Sequence, residues 1–257
     1  MINVKTLLLV ILLMLLNGCS TLVPAPEPLS NLRSTEPLAA YARVLQSYVN
    51  ERGEVDFPAL QQHRTDLDRY IAYIAQLPTS SISNPNERLA HYINSYNALS
   101  MYNVLELGIP KTNAGSAKIR FFYLRKLLIG GKQMSLYTYE NDVIRVLKEP
   151  RVHFALNCSA LSCPVLPRTP FSGANLNQEL DRETHKFFSE HRNLRIDHIN
   201  KIVYLSELLD FYTDDFTPAS APTLISYVNR YAPEKIPDDY IIEFISYDWT
   251  IANSSRW

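Results

Sequence analysis

A short apolar run that leads into a cysteine-bearing loop constrains this chain more than any other stretch. Residues 152–156 read Val-His-Phe-Ala-Leu and are followed by Asn, Ser and Pro, which predicts a brief buried strand that ends in a loop. The loop carries Cys158 and Cys163, the only cysteines besides Cys19. We therefore expect any chemistry to lie at this loop, although the sequence does not identify a substrate.

Residues 1–18 have the pattern of a lipoprotein-type signal peptide. Lys5 supplies positive charge, and the apolar core Leu7–Leu16 is too short to span a bilayer as a helix. The next residues, Asn17-Gly18-Cys19, complete a resemblance to bacterial lipoprotein signals, in which the cysteine is lipidated and becomes the first mature residue. With Ser20 rather than Asp after it, this resemblance implies an anchor on the periplasmic side of the cell envelope, at the outer membrane. An ordinary secretory peptide and an uncleaved anchor are the alternatives.

The rest of the chain predicts a tether and one domain. Residues 19–37 are proline-rich and are expected to form the tether, and residues 38–257 are expected to form a single globular domain. Hydrophobic residues make up 46% of the chain, charged residues 20%, and the net charge is −1, so a sizeable core is expected. Since no basic cluster occurs, nucleic acid is not an expected partner.

The apolar spacing predicts an α+β fold that is predominantly helical. Helical periodicity covers residues 38–49, 60–77, 84–108 and 136–147. Hairpins are expected around Gly130-Gly131 and over 193–205, and the strand at 240–247 is placed beside 152–156 in a modest sheet of about four to six strands. The seven glycines form no nucleotide fingerprint, and no cofactor is predicted.

Two amides lie on the apolar side of the predicted helix 84–108. Asn94 and Asn97 flank Tyr96, and an unpaired buried amide costs about 1–3 kcal/mol, so each needs a partner. Either they bond the backbone of a neighbouring loop and stiffen it, or Asn94, Asn97 and Tyr96 orient a ligand or a catalytic group. Farther along, Glu140 shares a helical stripe with apolar residues and is expected to point partly inward, unless it is solvated or paired with Arg145.

Three blocks of sequence resemble one protein family in order and spacing. The blocks are residues 91–99, residues 135–145 and residues 153–164, with Gly53 to Asp56 ahead of them. Over about residues 40–230 the chain resembles the family called domain of unknown function 547. Within that family it resembles the members that are bacterial lipoproteins. The resemblance implies a domain and a location, but it supplies no reaction because the family has no settled activity.

The two loop cysteines leave several interpretations open. In a compartment where disulfides persist, Cys158 and Cys163 can form a bond that stabilises the loop by about 2 kcal/mol. Alternatively, Cys158 is a nucleophile activated by His153, with Asn94, Asn97 or Glu140 orienting that base. A strand from 152 to 156 would separate His153 from Cys158 by about 16 Å, which argues against direct contact.

Other candidate ligands in the sequence are weaker. Zinc held by His153 and the two cysteines would lack a fourth ligand, so no metal is predicted. The pair Asp214-Asp215 could bind a cation, but such a pair in a loop is more often a solvated turn.

Two functional hypotheses follow. The first is a lipid-anchored envelope binding or scaffolding module with a disulfide-stapled loop and a peptide or protein partner. The alternative is a thiol-dependent hydrolase or acyl transferase that acts on envelope peptide or amide substrates. Both have the membrane as a partner through the lipid on Cys19. Replacing Cys158 with alanine separates them, because the first predicts lost stability and the second a folded, inert protein.

Overall fold

The computed structural model describes residues 20–28 and 36–255. The predicted signal peptide 1–18 and the predicted lipidation site Cys19 lie outside these residues. Within them, no helix is long and apolar enough to cross a bilayer.

Helices supply most of the regular structure. The α-helices are α1 Glu36–Tyr48, α2 Phe57–Gln62, α3 Thr65–Gln76, α4 Pro85–Glu106, α5 Ser116–Ile119, α6 Leu136–Tyr139, α7 Leu176–Ser189, α8 Leu208–Phe211, α9 Thr213–Phe216 and α10 Leu224–Val228. A π-helical turn at Arg120–Leu124 extends α5, and another at Glu140–Ile144 extends α6. Two 3-10 turns lie at Arg145–Leu147 and Pro150–Phe154.

The strands form two small sheets. In the first, β1 Thr21–Leu22 pairs in parallel with β2 Arg125–Ile129, which forms a hairpin with β3 Lys132–Met134. In the second, β4 Leu194–Asp197 and β5 Ile202–Ser206 form a hairpin, and β6 Ile241–Ile245 pairs in parallel with β5. The α+β, mostly helical prediction is confirmed, with six strands in two sheets among the described residues.

Helix α4 is the centre of the larger core. Asn84 caps it by accepting hydrogen bonds from the backbone N–H groups of Asn86 (2.9 Å) and Glu87 (3.1 Å), and Pro85 occupies the first turn. Every residue from Leu89 to Leu105 is buried. Because helices, loops and a strand cover all its faces, polar groups on this helix must find partners inside the protein.

The predicted strand 152–156 is wrong, because residues 150–154 form a 3-10 turn. Glu149 accepts a hydrogen bond from the backbone N–H of Arg151 (3.1 Å), and Pro150 begins the turn, which together favour a helical start. A short apolar run does not distinguish a buried strand from a buried helical turn. Strand β6 therefore does not pair with 152–156, and the separation of His153 from Cys158 that rested on a strand no longer applies.

Part of the predicted tether packs on the domain. Beyond the β1 pairing, the backbone N–H of Val23 donates to the carbonyl of Lys126 (2.8 Å), and the Val23 side chain is buried. The Tyr102 hydroxyl donates to the carbonyl of Pro24 (2.8 Å). Residues 21–24 thus belong to the folded unit.

Candidate functional site

The cysteine loop is held in place by two buried amides. Asn97 donates to the carbonyl of Ala155 (3.0 Å) and accepts from the backbone N–H of Asn157 (2.7 Å). Asn157 in turn donates to the carbonyl of Pro164 (2.8 Å) and accepts from the backbone N–H of Ser159 (2.7 Å). These bonds tie both ends of the loop to the rigid helix α4, so the positions of the thiols are fixed by the core.

Asn94 fixes a different loop in the same way. Its amide donates to the carbonyl of Phe171 (2.8 Å) and accepts from the backbone N–H of the same residue (2.9 Å). Asn94 and Asn97 therefore both bond the backbone of a neighbouring loop, which is the first of the two alternatives given for these amides in the sequence analysis. Asn97 positions the loop that carries Cys158, whereas Asn94 borders a separate groove.

Cys158 and Cys163 form a buried, hydrogen-bonded pair. Their sulfurs lie 2.7 Å apart, which is longer than the ~2.05 Å of a disulfide bond, and both are free thiols in this structure. The Cys163 sulfur accepts from the backbone N–H groups of Cys158 (3.1 Å) and Ala160 (3.4 Å) and from the hydroxyl of Tyr247 (3.1 Å).

These contacts shift the pKa values of the two thiols in opposite directions. The hydrogen bond with Cys163 and burial raise the pKa of Cys158 well above its ordinary value. Burial also opposes ionisation of Cys163, but the hydrogen bonds donated by Cys158, Tyr247 and the two backbone N–H groups outweigh it and lower the pKa of Cys163. Cys158 is therefore the member of the pair that keeps its proton.

Cys158 faces a small cavity that also contains the other candidate catalytic residues. The volume is about 50 Å³. The lining residues are Tyr96, Phe122, Glu140, His153, Leu156, Cys158, Leu208, Phe211, Tyr212, Tyr247 and Trp249. Four residues that the sequence singled out, Tyr96, Glu140, His153 and Cys158, thus meet at one place. Cys163 instead borders a groove on the opposite side of the loop.

His153 is held by a carboxylate. Its Nε2 lies 2.7 Å from Oδ2 of Asp215, and its ring stacks on Tyr212 with the centroids 3.9 Å apart. Arg145 also donates to Asp215 (2.6 Å). Burial alone would raise the pKa of Asp215, but the bonds from His153 and Arg145 hold it well below its usual range. Because an ionised carboxylate only accepts hydrogen bonds, Nε2 of His153 is the donor in this bond.

Glu140 is buried on the same wall of the cavity and accepts a hydrogen bond from the Tyr96 hydroxyl (2.9 Å). Burial, followed by the negative charge of Glu140, raises the pKa of both Tyr96 and Tyr212 well above the ordinary value. Both phenols therefore remain protonated donors beside the carboxylate. Arg145, the possible partner of Glu140 in the sequence, makes its ion pair with Asp215 instead.

A wider aromatic cleft of about 290 Å³ lies beside the cavity. Five residues line both spaces: Phe122, Glu140, Phe211, Tyr212 and Trp249. The outer part adds Lys118 and a stacked pair of rings, Tyr123 and Tyr137, whose centroids are 4.4 Å apart. The cleft therefore lies next to the cavity that Cys158 lines, with these five residues as common walls.

Another buried histidine lies on α4 away from this cavity. His91 Nε2 is 3.4 Å from the Ser95 hydroxyl, and the ring packs edge-on against Tyr73 with the centroids 5.8 Å apart. Burial lowers the pKa of His91 to about 4. This histidine is therefore neutral at physiological pH and belongs to the packing of the helix.

The described residues contain no group of three or more His, Cys, Asp or Glu side chains that could hold a metal ion. His153, Cys158 and Cys163 do not form such a group, since the imidazole is bonded to Asp215 and the thiols to each other. Asp215 is therefore a hydrogen-bond acceptor for a histidine and an arginine, and the solvated-turn interpretation of Asp214-Asp215 is wrong for Asp215.

Sequence reasoning missed three residues of the site, Tyr212, Tyr247 and Trp249, and it gave Asp215 a different role from the one it has beside His153. Tyr247 and Trp249 come from a C-terminal segment whose backbone bonds the cysteine loop, for example Leu161 N–H to the carbonyl of Thr250 (2.8 Å). The available signal for Asp215 was that a buried histidine needs an acceptor. The carboxylate nearest in sequence, Glu149, is bonded to Arg151 instead.

The comparisons with known proteins give one match. No curated protein and no solved structure matches this chain. Residues 80–188 match the model of a family described as "Protein of unknown function, DUF547". The matched segment contains Tyr96, Glu140, His153 and both loop cysteines, but not Asp215 or the C-terminal aromatic residues. The match supports assigning this segment of the chain to the DUF547 domain family.

Proposed function

We propose that this protein is a thiol-dependent hydrolase or acyl transferase that acts on amide or peptide substrates. The observation that carries the proposal is the meeting of Cys158, His153 and Glu140 on one cavity, with Asp215 bonded to the far side of the imidazole. A nucleophile, a base and a residue that orients the base are the components of cysteine-dependent acyl transfer.

The raised pKa of Cys158 decides how the nucleophile is activated. The resting site contains a thiol on Cys158, so a base must remove its proton as the sulfur attacks the carbonyl carbon. His153 takes that proton on Nδ1, because Nε2 is committed to Asp215. The ionised Asp215 stabilises the imidazolium that results.

The rest of the cycle returns every proton to its source. The imidazolium gives its proton to the leaving amine as the C–N bond breaks, which leaves an acyl group on the Cys158 sulfur. Water, or an acceptor amine or alcohol, then attacks the thioester and gives its proton to His153. As the C–S bond breaks, that proton returns to Cys158.

The test is a burst assay with p-nitrophenyl acetate together with mass measurement of the acylated protein. We expect one acetyl group per chain on Cys158 and a loss of about 10³-fold or more in Cys158→Ser. Cys163→Ser is the comparison variant: it removes the thiol that lies outside the cavity and should retain the burst, with a changed pH dependence because Cys163 is bonded to Cys158. A folded Cys158→Ser variant with an unchanged burst would refute the proposal.

A second candidate is a binding or scaffolding module whose loop is closed by a disulfide. The 2.7 Å separation of the sulfurs favours it, because little movement would bring them to bonding distance. A thiol count by mass spectrometry on the unreduced protein distinguishes this candidate from the enzyme. Two protected sulfurs in one linked peptide support the module, whereas two free thiols together with acylation of Cys158 by p-nitrophenyl acetate support the enzyme.

We also propose that the protein is anchored by lipid on Cys19, on the periplasmic side of the outer membrane. The support is the signal-like sequence of residues 1–19 and Ser20. Growth with labelled palmitate followed by membrane fractionation tests it. Labelled protein in the outer-membrane fraction, lost in Cys19→Ser, is expected, and unlabelled protein in the soluble fraction would contradict it.

A further inference from the structure

A lysine at the mouth of the aromatic cleft has no carboxylate partner among the residues that the structure describes. Lys118 Nζ lies 4.1 Å from the ring centroid of Trp249 and 5.0 Å from that of Phe211. In the part of the chain that the structure describes, no carboxylate is within ion-pair distance of this nitrogen. An ammonium group held over two rings is partly removed from water, and an anion beside it therefore gains more than it would at an open surface.

The other charges of the cleft are already neutralised or bonded. Arg145 is paired with Asp215 and is also bonded to Asn141. Glu140, the only carboxylate that lines the cleft, lies deeper, where it accepts a hydrogen bond from Tyr96. Among the described residues that line the cleft, Lys118 is thus the one cation without a carboxylate partner, and the carboxylate of Glu140 lies deeper.

The walls beside Lys118 suit a flat, apolar group. Tyr123, Tyr137 and Phe211 are 43%, 44% and 40% exposed, and Trp249 is half-buried among them. Aromatic side chains clustered around a concave surface that leads to a nucleophile are typical of ligand sites. The cation and the rings are therefore complementary to a molecule that carries a carboxylate and a planar or large apolar group.

We propose that the cleft binds acyl amino acids and short acyl peptides with a free carboxylate and an aromatic or large apolar group, and that Lys118 pairs with that carboxylate. This rests on the proposed function and specifies its substrate class. The carboxylate is held at the mouth by Lys118, the apolar group lies on the rings, and the amide carbonyl enters the cavity toward Cys158 along the shared walls.

The test uses the fluorescence of Trp249 in a Trp257→Phe variant, where it is the only tryptophan. The probes are N-benzoylglycine and N-benzoylglycinamide, which differ in the carboxylate. We expect N-benzoylglycine to change the emission saturably and to bind about tenfold more tightly than the amide, since hydrogen bonds to charged groups contribute that much. In Lys118→Gln the preference should vanish. Lys132→Gln, on the β2–β3 hairpin, is the matched control and should keep it.

The same titration in a Cys158→Ser background, combined with the burst and mass measurement on protein that retains Cys158, separates the two proposals. Carboxylate-selective binding without acylation of Cys158 would refute the proposed enzyme and leave this inference standing. Acylation of Cys158 without a preference for the carboxylate probe would refute this inference and leave the proposed enzyme standing. Equal binding of both probes, no saturable change with either, or a preference that survives in Lys118→Gln would overturn the inference.

Discussion

The buried His91 makes protein stability depend on pH in a way that can be calculated. Its pKa is about 4 in the folded protein and 6.5 when unperturbed, so the unfolded chain binds the proton more tightly. Stability is therefore complete above pH 6.5 and is lost as the pH falls toward 4. Proton linkage with these two pKa values predicts that His91 lowers the free energy of unfolding by about 2 kcal/mol when the pH falls from 7.5 to 5.

The measurement is urea unfolding of the unmodified protein and of His91→Gln at pH 7.5, 6.5, 5.5 and 5.0. Glutamine does not titrate, so the free-energy difference between the two proteins should shift by about 2 kcal/mol in favour of the variant on acidification. His63→Gln, at a solvent-exposed histidine, is the control for general effects of losing an imidazole. A difference that stays constant with pH would refute the argument that burial keeps His91 neutral.

Three further substitutions test other parts of the structure. Asn97→Ala leaves two backbone groups of the cysteine loop unpaired and should cost about 2–4 kcal/mol in urea unfolding. Asp215→Asn should lower kcat by about 10²- to 10⁴-fold with little change in KM, because the imidazole loses the charge that orients it and Arg145 loses its partner. Gly53→Ala should lower Tm, because φ is +75° and a Cβ would lie 2.5 Å from the backbone nitrogen of Leu166.

Each of these outcomes has a contrary result. An Asn97→Ala protein as stable as an Asn86→Ala control, at an exposed position, would show that the loop does not depend on the amide. An Asp215→Asn protein with an unchanged kcat would remove the aspartate from the proposed mechanism. A Gly53→Ala protein with an unchanged Tm would mean that the chain near residue 166 adapts freely.

The parts of the fold set by local chemistry could be predicted from the sequence. Asn84 and Pro85 mark the start of the central helix, and Gly130-Gly131 marks the hairpin between β2 and β3. In both cases the signal and the structure lie within a few residues of each other. The same holds for Ser135, whose hydroxyl caps the next helix by accepting from the backbone N–H of Thr138 (3.1 Å).

The parts that depend on distant residues could not be predicted. Asp215 reaches His153 across 62 positions and Tyr247 reaches Cys163 across 84, and no periodicity encodes such pairings. The 3-10 turn at 150–154 was missed for a different reason, since a five-residue apolar run fits either a strand or a helical turn. Candidate residues could thus be selected from sequence, but not the arrangement that brings them together.

The pairing of β1 with β2 limits how the domain can stand on a membrane. With a lipid on Cys19, as proposed, only Ser20 separates the anchor from the first paired residue, Thr21, and a fully extended chain spans at most about 3.6 Å per residue. The linker between the anchor and the folded domain is therefore almost fully fixed in length. The domain would lie against the bilayer with its first sheet nearest the lipid, and substrates would approach the aromatic cleft from a direction fixed by the anchor.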